Sequence, residues 1–507
     1  MRKFLFFICL FCMLIINSFG NAIVISNLSS VSGPGYVQLK FDLTWDNSWR
    51  NSINYDAAWV FFKWKDNDGI WKHLNLTNAN NNINPGFTIS IPADLTGAMI
   101  YRSSTGFGTT GITGITLGVN NYPGSFDIKA FALEMVAIPM GDAYSLGDGE
   151  AGTYYSTALT GLPYRVNSPS ITMGSTTGLL YDGISNGVLS NGFPVGFGYF
   201  GTLYMMKHEL SQAAYRDFLN TLTYMQQTTR TAISPSSATG SEAIGSLISR
   251  NSIQIVTPGI ANAVPAVYGC NLNNNSLFNE PNDGEWIACN NLSWMDLAAY
   301  LDWAALRPMT EMEFEKSCRG PIAPIAGENA AGTVAAATYN YPINSPGTAN
   351  ESVSYSGSVL LGNFNYISTT PNSPMRVGIH ATPGANRISA GAGYYGCLDL
   401  SGNIAEYTVT TGNAAGRSFT GLDGDGMLTA SGDANVDYWP GINGNTTITV
   451  ANTPFAGIGV TGSAGFIERG GGFYYTGNNS LKVSYRIAGT GSTSRGIASG
   501  GRGVKLL

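Results

Sequence analysis

Charge is what this chain lacks most. Only 11% of its 507 residues are Asp, Glu, Lys or Arg, against roughly 25% in ordinary soluble proteins. The net charge is −6 and no block of Lys or Arg occurs. Nothing is available to neutralise a phosphate backbone, which excludes nucleic acid as a partner. Histidine is nearly absent: His73, His208 and His380 are the only three, and no two of them share the spacing of metal ligands. No cysteine follows Cys397. Beyond residue 16 no apolar run is long enough to span a bilayer, so no transmembrane segment is expected once the N-terminal signal is removed.

Gly (64 residues), Asn, Ser and Thr fill the gap left by charge, while apolar residues reach 44%. That mix suits loop-rich or β-rich extracellular surfaces built around real cores, not a disordered chain. The length implies two to four domains. At the N-terminus, Arg2 and Lys3 precede an unbroken apolar run from Phe4 to Ile16, and Ser18-Phe19-Gly20 places small residues at a cleavage point. This is the pattern of a secretory signal peptide over residues 1–20. The expected destination is the periplasm, the cell surface or the medium.

Residues 21–132 carry several short alternating runs. Val37-Gln38-Leu39-Lys40-Phe41-Asp42-Leu43 has an apolar side chain at every second position, as a half-buried strand does. Trp59 to Trp64, Phe87 to Ile91 and Phe126 to Phe131 read in the same way, with turn-formers such as Asp66-Asn67-Asp68-Gly69 between them. Short strands without a helical pattern predict an all-β sandwich. Its tryptophans (Trp45, Trp49, Trp59, Trp64 and Trp71) read as core filling before sugar binding.

From residue 133 the pattern changes. Ser211 caps a helical run in which Ala214, Tyr215, Phe218, Leu219 and Leu222 recur at spacings of three and four. Ser293 opens a second, with Trp294, Leu297, Ala298 and Leu301 on its buried stripe. Thr310-Glu311-Met312-Glu313 is a capping box for a third. Beyond residue 320 helical periodicity all but vanishes. The expected fold class is therefore α+β, an N-terminal sandwich followed by one unit over 133–507 rich in irregular structure. Asp423-Gly424-Asp425-Gly426 has no glutamate at EF-hand distance and reads as a turn. After signal removal four cysteines remain, Cys270, Cys289, Cys318 and Cys397. An even number in an exported chain favours disulfides, with three connectivities open. Cys270 with Cys289 is the local pairing, which would leave Cys318 with Cys397.

The helical runs sit inside a recognisable order of motifs. Lys207-His208-Glu209-Leu210-Ser211 is followed by Leu292-Ser293-Trp294-Met295-Asp296, then Arg307-Pro308-Met309-Thr310-Glu311 and Cys318-Arg319-Gly320. Gly396-Cys397-Leu398-Asp399-Leu400-Ser401-Gly402-Asn403, Arg469-Gly470-Gly471-Gly472-Phe473, Tyr485-Arg486 and Gly501-Arg502 complete the series. Residues 133–507 thereby resemble the formylglycine-generating-enzyme, or sulfatase-modifying-factor, family. The resemblance implies an elaborated C-type-lectin-like domain. The whole arrangement, sandwich first, resembles exported proteins common in the Bacteroidota.

What the resemblance implies for chemistry is a loss. The family's copper-dependent members use two cysteines shortly after the "R-G-G" motif, because thiolate is both soft metal ligand and redox group. Here about those positions are Tyr475 and Ser480, so no copper is expected. The family's structural calcium loop maps onto the carboxylates of Asp399 and Glu406 and the carbonyls of Gly402 and Ile404, hard oxygen donors of the kind calcium takes. Tyr474, Tyr475, Asn478 and Asn479 fall where relatives place their active site. They are the candidate contacts to a protein, peptide or glycan ligand at the cell surface. The leading expectation is an exported non-catalytic binding or structural module. The alternatives are a component of a cell-surface or motility apparatus, and an enzyme of altered chemistry using Glu311 or Glu313.

Overall fold

The computed structural model describes residues 23–33, 35–120, 127–150, 156–157, 162–181, 187–197, 201–337, 342–354, 361–366, 371–443, 459–475, 477–486 and 492–507. The expected signal peptide at 1–20 lies outside them. Eight strands come first: β1 (Val24–Gly33), β2 (Tyr36–Arg50), β3 (Asp56–Lys65), β4 (Trp71–Leu74), β5 (Phe87–Ser90), β6 (Ala98–Arg102), β7 (Gly106–Val119) and β8 (Ile128–Ile138). The first sheet has the order β1-β2-β7. Along β2, Leu39, Phe41, Leu43 and Trp45 point inward and are essentially unexposed, as the alternation predicts. They meet Ala58, Val60 and Phe62 of β3 and Ala98 and Ile100 of β6 in one core. This is the predicted sandwich, and Trp45 and Trp59 fill cores.

The second sheet does not stop at the sandwich. It continues through β9 (Leu203–Met206), β10 (Arg307–Pro308) and β14 (Gly503–Leu506) in the order β10-β14-β9-β8-β3-β6-β5, with β4 also paired to β3. Strand β3 is consequently buried on both faces. Its residues Ala57, Trp59 and Phe61 pack on the opposite side from the sandwich, into the core that holds the helices. The reading of β3 as half-buried is corrected here: a strand covered by two layers carries a continuous apolar run. The 132/133 boundary falls inside β8. On one face of β8, Ile128, Ala130 and Ala132 pack on the sandwich core, while Val136 and Ile138 join a core with Met309, Phe314, Cys318 and Cys397. The backbone pairing with β3 runs unbroken from Ile128 to Val136.

The longer helices among the described residues are α1 (Gln212–Leu219), α2 (Tyr224–Arg230), α3 (Trp294–Trp303) and α4 (Glu311–Arg319). Ser211, Ser293 and Thr310 cap α1, α3 and α4 as expected, the latter two with full capping boxes. Helix α2, with its own Thr223/Gln226 capping box, lies outside those expectations. A small separate sheet, β12-β11-β13, joins β12 (Phe466–Arg469) and β13 (Ser499–Gly500) to the central β11 (Ala405–Val409).

Polar ties fasten the sandwich to the rest. The Trp59 indole donates to the Ala304 carbonyl at 2.9 Å, and the Asn54 amide to the Tyr395 carbonyl at 2.7 Å. The buried Lys63 ammonium donates to the carbonyls of Trp303 (2.7 Å) and Gly426 (2.6 Å), with His73 Nδ1 at 3.0 Å as its third neighbour. Three acceptors match the three N–H groups of an ammonium, which assigns His73 the tautomer that donates from Nε2 to the Thr96 carbonyl. The Asp423-Gly424-Asp425-Gly426 segment belongs to this seam. Asp423 lies 3.2 Å from Lys505 and 3.8 Å from Arg307, so the chain's own cations face it.

The disulfide expectation is corrected. Cys270, Cys289, Cys318 and Cys397 are all free and buried. The first two sit in the main core and the last two together in another, where each packs as a small apolar side chain. Burial pushes the thiols of Cys270 and Cys397 up to about 12, which keeps them protonated and unreactive.

Candidate functional site

Strand β12 ends at Arg469, which is completely buried. Its guanidinium reaches Glu311 Oε1 at 3.0 Å and Glu315 Oε1 at 2.7 Å, both on one face of α4. Glu311 also receives Arg486 Nε at 2.7 Å, and Glu315 receives Arg319 at 3.0 Å. Glu313 is held by Arg307 through two bonds of 2.7 and 3.0 Å and completes the α4 cap. These carboxylates are unexposed and each is held by arginine. A general acid or base must reach a substrate proton, and neither Glu311 nor Glu313 is placed to do so.

After Arg469 the chain must reverse within three glycines. Gly470 and Gly471 take left-handed φ angles of 80° and 66°, which cost a side chain dearly and glycine nothing. A Cβ on Gly471 would also stand 2.8 Å from Ser480. The reversal sends Phe473 inward against Ala288, Val377, Ile404 and Ala498 and turns Tyr474 outward, 57% exposed. Asn478 and Asn479 are exposed at the start of a short 3₁₀ turn. Ser480 is buried, its hydroxyl donating to the Gly477 carbonyl at 2.8 Å.

Tyr475 is different from its neighbours. It is half-buried, and its hydroxyl donates to Glu468 Oε2 at 2.8 Å. The other carboxylate oxygen of Glu468 accepts from the Ser499 hydroxyl at 2.6 Å. Burial and the neighbouring Glu468 charge push the Tyr475 phenol up, so it stays a neutral donor. Of the four ligand candidates, three are thus free at the surface and one is anchored. The Ser499 contact that holds Glu468 was not legible in the sequence: the two lie 31 residues apart, and no local pattern links them.

Of the calcium candidates, Asp399, Gly402 and Ile404 lie in the loop leading into β11, and Glu406 is in that strand. Asp399 Oδ2 accepts the Gly378 N–H at 2.5 Å. Both oxygens of Glu406 accept from Arg502, at 2.6 and 2.8 Å. The Ile404 N–H donates to Glu209 Oε1 at 2.9 Å, and the Gly402 N–H to the Gly470 carbonyl. A guanidinium therefore stands on the carboxylate that calcium would need as a donor. Among the described residues no group of three or more His, Cys, Asp or Glu is arranged to hold a metal ion. The Glu406–Arg502 pair is the local cross-link of this loop. Addition of excess EGTA is expected to leave the melting temperature unchanged. A fall of several degrees, reversed by calcium, would show that the loop binds the ion.

In the last motif, a Cβ on Gly501 would lie 2.6 Å from Leu297 of α3, so that helix packs directly on the backbone there. Residues 197–438, which contain α1 to α4 and β11, match the model of the sulfatase-modifying factor enzyme 1-like domain. No curated protein matches the chain. The chain carries, behind a β-sandwich that shares its sheet, a domain of the sulfatase-modifying-factor family.

Proposed function

We propose that this protein is an exported binding or structural module in which the family scaffold is kept and its oxidative chemistry is lost. The turn bearing Tyr474, Tyr475, Asn478 and Asn479 would contact a protein, peptide or glycan ligand at the cell surface. One observation carries the reading: where relatives place two thiols, this chain has an anchored tyrosine and a buried serine beside exposed Tyr474. A rigid base with exposed aromatic and amide groups suits recognition, because little side-chain freedom is lost on binding. The arginine-held state of Glu311 and Glu313 supports the same reading over an enzyme of altered chemistry.

The test joins a glycan array to a pull-down from the envelope fraction, with wild type and a Tyr474→Ala/Asn479→Ala variant. Capture by wild type and its loss in the variant, at an unchanged melting temperature, is the expected result. Loss of a central tyrosine contact weakens binding by about 2 kcal/mol. An assembled envelope partner would assign the module to a cell-surface or motility apparatus. A formylglycine product from a sulfatase-type cysteine peptide, formed by wild type with copper, would overturn the reading.

A further inference from the structure

Two carboxylates and one ammonium meet where the sandwich joins the family domain. Asp56 opens β3, Glu134 lies in β8, and Lys207 directly follows β9. All three are buried, at 0%, 4% and 4% exposed. The Lys207 ammonium stands 3.0 Å from Glu134 Oε2 and 3.9 Å from Asp56 Oδ2. The Lys207 backbone N–H donates to the Glu134 carbonyl at 2.8 Å, so main chain and side chains cross the same joint.

Fully ionised, this triad would carry one uncompensated negative charge, and a buried charge without a partner is strongly disfavoured. Among the described residues no second cation pairs with either carboxylate. From β2, Asp46 adds a further negative charge facing Glu134. From the loop before β11, Cys397 faces Lys207, and burial keeps its thiol protonated. Arg102 of β6 stops one step short: it donates to the Ser48 hydroxyl at 3.0 Å, and Ser48 in turn donates to Asp56.

Hydrogen bonding decides which carboxylate takes up a proton. Asp56 accepts from the Trp49 N–H at 2.8 Å, the Ser48 hydroxyl at 3.1 Å and the Trp45 indole at 3.2 Å. Donors of this kind favour the charged form. Glu134 has Lys207 alone, and among the described residues its buried Oε1 has no hydrogen-bond partner. Burial raises both carboxyls, that of Glu134 to about 7, while Lys207 draws both back. The two carboxyls keep the Lys207 ammonium charged despite its burial.

We propose that this triad binds one proton as the chain folds, carried on Glu134, so that the joint between sandwich and family domain is pH-sensitive and tightest in mildly acidic surroundings. An unfolded glutamate releases its proton near 4.5. Between that value and about 7 the folded chain holds one proton more than the unfolded chain, and its stability falls as pH rises.

Wild type and Glu134→Gln, which keeps the shape and removes the charge, are compared by urea denaturation of the full chain from about pH 5 to about pH 8. The unfolding constant of wild type, divided by that of the variant at the same pH, should grow about tenfold per pH unit up to about pH 7 and level off above it. A ratio that stays constant over this range would overturn the proposal. Carbon-13 at the glutamate side-chain carboxyls gives a second readout by NMR. The signal that disappears in Glu134→Gln should titrate near pH 7 in wild type. Titration of that signal near 4.5 instead would show Glu134 ionised like any exposed glutamate and would equally overturn it.

Discussion

Arg502→Met is expected to remove about 3–5 kcal/mol of stability, the usual cost of stripping one partner from a buried ion pair. Against a total of about 5–15 kcal/mol for a folded domain, much of the population would unfold. Arg502 and Glu406 are both completely buried. The guanidinium closes two bonds on Glu406 and donates to the carbonyls of Leu398 at 2.7 Å and of Met206 and Lys207 at 3.2 Å each. Four chain segments meet there: the end of β9, the loop before β11, β11 itself and the residue that precedes the last strand. Burial alone pushes the Glu406 carboxyl up, and Arg502 draws it back towards the charged form. Methionine matches the volume but leaves a carboxylate with no cation. The double variant Arg502→Met/Glu406→Met should regain part of the loss, since neither charge then remains buried. Urea denaturation of the three proteins measures both effects. A single-variant loss below about 1 kcal/mol would mean that the pair is solvated and not the cross-link described.

The second large effect concerns the cut between the two parts. A fragment of residues 21–132 is expected not to fold by itself, although it contains the whole sandwich core. Trp59 and Phe61 are fully buried by the helices, and the fragment would expose them on a sheet face. It would also end β8 halfway along its pairing with β3. An open apolar face of that size favours aggregation. The proton NMR spectrum of the fragment should be poorly dispersed, and a well-dispersed one would sink the idea. In the intact chain, Trp59→Ala should cost about 3–5 kcal/mol, more than a sandwich-surface tryptophan would.

Much of this was legible in the residues. The caps at Ser211, Ser293 and Thr310 were readable because a helix start is a local event, settled by a side chain and an N–H three residues on. The alternation of β2 was readable because one of its faces meets a single core. Helix α2 has the Thr223/Gln226 signal, but seven residues with two adjacent threonines give too short a stripe to be seen. The cysteines misled for a related reason. Their number suggested pairing, whereas burial in apolar cores accounts for each as a free thiol.

The sequence by itself determined four of the N-terminal strands, three capped helices, the order of the family motifs, and the absence of any cysteine after Cys397. These properties depend on neighbours within a few residues or on simple presence. Tertiary structure alone decided that the two parts share one sheet, that Glu406 meets Arg502, and that Glu468 accepts from the distant Ser499. Each of these joins or isolates groups that lie far apart in the chain. The partner of a buried charge or N–H is set by packing, and packing has no local signature.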